Sequence, residues 1–134
     1  MTKRFLITIG IMGLFSIILR AIGAHMLDGH ISEEQLYLFD TANVYIMFHA
    51  LALLGLIALK RKVSISYLNT IYYFFVIGIT LLSGFLIISS LKELTGFDDE
   101  SIGFLAPIGE IMLVLGWISL IMAGFSYKHK KSHH

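Results

Sequence analysis

The chain has 134 residues, of which 57% are hydrophobic and 14% charged, with a mean hydropathy of +0.82. A water-soluble domain carries about 25% charged residues, so much of this surface must face something other than water, and four spans of about 20 residues leave no room for a soluble catalytic domain. With no cysteine, disulfides and thiolate chemistry are excluded, and the net charge of +1 says less than where the charges lie.

Four apolar stretches are read as helices, at residues 5–24, 41–59, 67–91 and 106–125. At 1.5 Å per residue each can cross a hydrocarbon core of about 30 Å. None shows the alternation of a strand, and a helix satisfies its backbone groups within lipid. Lys3 and Arg4 precede the first stretch. A signal peptide would begin similarly, with Ala21, Gly23 and Ala24 as its small residues. The apolar run to Leu19 is long for that purpose, and Arg20 is ill placed before a cleavage site, so a retained span is expected. Between the first two stretches, Ser32 and Gln35 read as a capping box, so the second helix can start before the membrane. Lys60, Arg61 and Lys62 join the second stretch to the third, and Pro107 suits the first turn of the fourth helix. Residues 1–127 thus form a single all-α, four-helix transmembrane domain. Residues 128–134 are a basic, histidine-bearing tail expected to be disordered; a trimmed purification tag is the alternative reading of its final Lys-Ser-His-His, so His133 and His134 are given no function.

Charge sets the expected orientation. Eight of the ten Lys/Arg residues fall at the start, in the 60–62 turn or after the fourth helix, whereas the other two connections hold eight of the nine acids. The positive-inside rule then places both termini in the cytoplasm. Small residues mark the helices: Gly10, Gly13 and Ser16, then Gly55 and Ala58, then Gly78 and Gly84. In the fourth, Gly109, Gly116 and Ala123 recur every seven residues and share a face. They are read as close-packing positions within the bundle, with a homo-oligomer seam as the alternative.

The polar residues inside the spans are Arg20, His25, Asn43, His49, Ser83 and Glu110. An ionisable group at mid-membrane costs roughly 2.5–3.5 kcal/mol on insertion scales, so each calls for a partner or a purpose. Helical rise puts Arg20 about 22 Å and Glu110 about 24 Å above the cytoplasmic ends of their helices, with Asn43 and Ser83 near the same level. An intramembrane ion pair between Arg20 and Glu110, assisted by Asn43, is therefore expected. Separate snorkelling is the alternative. His49 lies about 15 Å from the inner end of its helix, one turn from Tyr45, with which it can share a hydrogen-bond network. A proton relay is one reading of His25 and His49, and a neutral imidazole locking helix packing is the other. No histidine pair or cysteine supports a metal site, and Trp117 is assigned to packing.

The same residues carry a resemblance. Gly23-Ala24-His25-Met26-Leu27 and the segment from Thr41 through Asn43, Tyr45 and His49 are similar to motifs of a small four-span bacterial membrane family. So are Ser83-Gly84, Leu94-Thr95-Gly96, Pro107-Ile108-Gly109 and Gly116-Trp117. That family is domain of unknown function 423, whose relatives are like transmembrane protein 256. The chain departs from its pattern at Arg20 and Glu110, where the family has glycine. It also departs at Ile46, where glutamine is usual, and at Phe85 and Ile87 in place of a serine and a tyrosine. The resemblance implies a multi-pass protein of the bacterial cytoplasmic (inner) membrane, and leaves His25, Tyr45, His49, Asn43 and Ser83 as the candidate polar cluster. It supplies no substrate, cofactor or catalytic residue. The expected function is a non-enzymatic structural or lipid- or partner-binding bundle, with membrane lipids and another copy of itself as partners and no nucleic acid. The alternative is a small oligomeric ion or solute transporter using the polar residues of the outer half. An enzyme fits least, because no nucleophile–base pair or paired acids share one depth.

Overall fold

The computed structural model describes residues 1–127; the expected tail at 128–134 lies outside the described residues. Helix α1 spans Thr2–Ile22 and ends in a π-helical turn, Gly23–Leu27. Helix α2 spans Glu33–Ala58, and α3 spans Ile65–Ser90. A single turn, α4, covers Lys92–Thr95, a 3-10 turn covers Glu100–Ile102, and α5 runs over Leu105–Phe125. The four long helical segments are each long and apolar enough to cross a membrane.

Local chemistry sets the helix starts. Ser32 accepts a hydrogen bond from the Gln35 backbone N–H at 3.2 Å, so α2 begins eight residues before its apolar stretch. Only half of the expected capping box forms, because the Gln35 side chain is buried, with neither amide atom partnered. Ser64 caps α3 likewise, through the Tyr67 N–H. Pro107 lies in the first turn of α5, where an N–H would have no intrahelical acceptor. The π turn passes Gly23 close to α2. A Cβ there would stand 3.1 Å from the ring of Phe39, which is fully buried.

The helices are not arranged as a square. The extensive interfaces are α1 with α2, α2 with α3, and α3 with α5; α1 and α5 share none. Helices α2 and α3 form the centre, with 44% and 39% of their spans buried against protein, and α1 and α5 flank them with 22% each. Leu6, Ile11, Leu14 and Ile17 on α1, and Ile111, Ile118 and Ile121 on α5, face outward, where a soluble protein would place charge.

Two devices hold the layers. Between α3 and α5, glycine removes side chain where backbones meet. A Cβ on Gly109 would lie 2.7 Å from the Leu82 backbone N and 2.9 Å from the Gly78 carbonyl, and one on Gly116 would lie 2.5 Å from the Phe75 ring. The seven-residue stripe Gly109, Gly116 and Ala123 is thus buried inside the protomer. Gly10, Gly13, Gly55 and Gly84 instead face open space. The second device is a polar clasp between α1 and α3 at the end bearing the basic turn 60–62. Arg4 donates to Asn69 Oδ1 and, at 3.1 Å, to Tyr73 Oη, and its guanidinium lies 4.6 Å from the Tyr72 ring centre. Thr8 bonds the Tyr72 hydroxyl, and Phe5 packs on the Tyr72 ring. Thr2 takes a hydrogen bond from Lys60, and Lys62 lies over the Tyr127 ring, so both ends of the described chain meet the basic turn.

Candidate functional site

The polar residues divide into separate sites rather than one cluster. At the acidic end, Arg20 Nη1 lies 3.3 Å from Asp40 Oδ1, and both side chains are substantially exposed. This corrects the expected pairing with Glu110. The early start of α2 carries Asp40 alongside the last turn of α1, whereas Glu110 belongs to α5, on the far side of α3. Equal depth could not reveal that the two helices are not neighbours. Asn43 does not join the pair either; its side-chain oxygen accepts from Ser16 Oγ at 2.6 Å, clipping α1 to α2. Ser83 Oγ donates to the Ala42 carbonyl at 3.0 Å and clips α3 to α2. Both clips are buried. His25 stands exposed on the π turn, with no side-chain partner among the described residues.

His49 is buried, 4% exposed, at the junction of α2, α3 and α5. Its Nδ1 lies 2.8 Å from the Tyr45 carbonyl oxygen, and Trp117 Nε1 donates to its Nε2 at 3.1 Å. The partners assign the tautomer. An indole N–H can only donate, so Nε2 is the bare acceptor; a carbonyl can only accept, so Nδ1 carries the hydrogen. The ring is a neutral imidazole with both nitrogens engaged. Around it, the Tyr45 ring stacks in parallel at 6.1 Å, Phe75 meets it edge-on at 4.9 Å, and Trp117 tilts across it at 5.7 Å. Tyr45 thus contributes its backbone and its ring face. Trp117, read from the sequence as packing, is the partner that fixes His49. Helical rise puts both at roughly 12–14 Å from the basic ends of their helices, the one signal that could have joined them.

Two side-open cavities lie between the helices. The first, about 420 Å³, separates α1 from α3 over a floor of α2; Met12, Phe15, Ile46, Ile79, Ser83 and Gly84 are among its walls. It opens where α1 and α3 part beyond their clasp. Its hydroxyls are already spent, Thr80 on the Val76 carbonyl and Ser83 on that of Ala42. The second, about 330 Å³, lies between α2 and α5 over Leu82 of α3. Tyr45, His49, Glu110, Leu113, Val114 and Trp117 complete its lining. Among the described residues no group of three or more His, Asp or Glu could hold a metal ion.

In the connection after α3, Asp99 Oδ2 accepts from Ser89, in the last turn of α3, at 2.6 Å, and Lys92 Nζ lies 3.6 Å from the same oxygen. The Ser89 hydrogen bond, with the Lys92 charge adding to it, holds the Asp99 carboxyl below its ordinary pKa.

The sequence profile of a family described as "Protein of unknown function (DUF423)" matches residues 19–110. The chain is 33% identical over 127 residues to the UPF0382 membrane protein SAB0533 of Staphylococcus aureus (strain bovine RF122 / ET3-1), covering 93% of this chain and 98% of that one. It is 32% identical over 126 residues to the UPF0382 membrane protein YwdK of Bacillus subtilis (strain 168), with the same coverage. No solved structure matches the chain.

Proposed function

The chain belongs to the DUF423 family, whose bacterial relatives are membrane proteins of unknown function, and on that premise we propose that it is a non-enzymatic bundle that holds a lipid acyl chain between α1 and α3. It is a multi-pass membrane protein, so bilayer lipid is the surrounding phase for every outward face.

One observation carries the reading. The α1–α3 groove is open to the side, about 420 Å³ in volume, and its two wall hydroxyls are committed to helix carbonyls. What remains is apolar surface with no unspent donor, which suits a methylene chain and offers nothing to a polar substrate. The polar residues support the non-enzymatic part. His49 has no free lone pair for a proton relay, and the Ser16 and Ser83 hydroxyls bond to oxygen atoms that are not bases.

Gly84 gives a clean test. It lines the groove, and a Cβ on it would meet no atom within 4 Å. Gly84→Leu therefore fills the groove without disturbing the helices. Native mass spectrometry in mild detergent should find phospholipid retained by the wild type and lost from the variant, with equal helicity and thermal stability. Equal retention by both would refute the assignment.

A further inference from the structure

The second cavity differs in chemistry from the first. Glu110 lines it, and no ion pair or hydrogen bond reaches its carboxylate among the described residues. The two cations at that end of the molecule are engaged elsewhere, Arg20 with Asp40 and Lys92 with Asp99. In the rest of the lining the Tyr45 hydroxyl is the one donor left without a hydrogen bond among the described residues. The Trp117 N–H is given to His49, and both His49 nitrogens are occupied. What those two side chains offer is ring surface, to which Tyr45 adds a third aromatic group; Leu82, Leu113 and Val114 close the walls.

A carboxyl with no cation partner, set among aromatic faces and aliphatic walls, has no positive group with which to hold an anion. It also gives a neutral hydrogen-bonding solute little to bind. A cation on an apolar body is favoured by each part: its charge by the carboxylate and by the π faces, its body by the walls. The geometry points to a binding site for a hydrophobic ammonium cation between α2 and α5, with Glu110 as counter-ion and Tyr45 and Trp117 as the aromatic walls. A cavity of about 330 Å³ takes an ammonium head with one ring or a short chain, and its open side lets a longer tail run into the bilayer. The ammonium can come from a free amphiphile or from a choline lipid headgroup, since either presents the same charge on an apolar attachment.

Trp117 is the one tryptophan of the chain and a wall of the site, so its emission reports occupancy. Protein in phosphatidylglycerol vesicles is titrated with benzyltrimethylammonium in one arm; in the other, part of the phosphatidylglycerol is replaced by phosphatidylcholine. Glu110→Gln serves in both, because Glu110 is exposed and makes no hydrogen bond or ion pair among the described residues whose loss would unfold the bundle; circular dichroism checks this. The proposal expects a saturable change in Trp117 emission in at least one arm, weakened at least about tenfold in the Glu110→Gln variant. Response to the added cation identifies a free amphiphile as ligand, and response only to phosphatidylcholine identifies the headgroup. No saturable change in either arm, or an equal change in the variant, overturns the proposal. Neither result bears on lipid retention by the α1–α3 groove, which Gly84→Leu tests separately.

Discussion

Trp117 and His49 form a pair in which each satisfies the other. Removing the indole donor leaves the His49 Nε2 bare in a buried site. Trp117→Phe keeps the ring and loses the N–H, and should destabilise the protein by about 1 kcal/mol, the scale of interhelical hydrogen bonds in membranes. Reversible unfolding in mixed micelles measures it; no loss of stability would deny the bond a role. Asp99 makes a pH prediction outside the spans. Its carboxyl is lowered in the folded state by Ser89 first and Lys92 second, so its contribution is complete above the unfolded carboxylate value and disappears as pH falls through the lower folded value. A stability profile from pH 6 to pH 3 should therefore fall at its acid end, and Asp99→Asn should flatten that fall. These residues also show what the sequence made legible. The polar positions inside the spans could be found because each is costly there, and the shared turn of Tyr45 and His49 followed from spacing. The partners could not. Arg20 and Glu110 matched in depth, but depth along a helix does not say which helices are neighbours, and the carboxylate beside Arg20 was Asp40, on a stretch too polar to be counted as membrane helix.

Helices α3 and α5 approach through Gly78, Gly109 and Gly116, and the atoms that crowd Gly109 are mainly backbone, which cannot rotate aside. Gly109→Ala should cost about 1–3 kcal/mol or more by forcing the helices apart. Gly13→Ala, facing open space on α1, should stay within about 0.5 kcal/mol of the wild type. Comparing the two variants by the same unfolding measurement separates close packing from intrinsic helix propensity, because the residue change is identical. The seven-residue recurrence in α5 marks this face in the sequence itself. Gly10 and Gly13 of α1 show no such recurrence, and both face open space. Length was legible from hydropathy for α3 and α5, and less so for α2, whose first two turns carry Glu33, Glu34, Gln35 and Asp40 and are set by the Ser32 cap.

At the scale of the molecule, the chain start, the 60–62 turn and Tyr127 gather at one end, and the acidic connections lie at the other. The charge asymmetry predicts that the basic end faces the cytoplasm. The absence of cysteine makes this simple to check. In intact cells a membrane-impermeant maleimide should label Asp98→Cys and leave Lys62→Cys unlabelled; the reverse pattern would invert the topology. The row of interfaces, α1 on α2, α2 on α3 and α3 on α5, has a consequence for biogenesis. Every long helix after the first packs extensively against the long helix synthesised just before it, and no extensive seam joins α5 to α1. Such an order keeps loop-closure entropy small. The bundle can therefore be assembled span by span as the ribosome delivers it, each new helix finding a wall already in place.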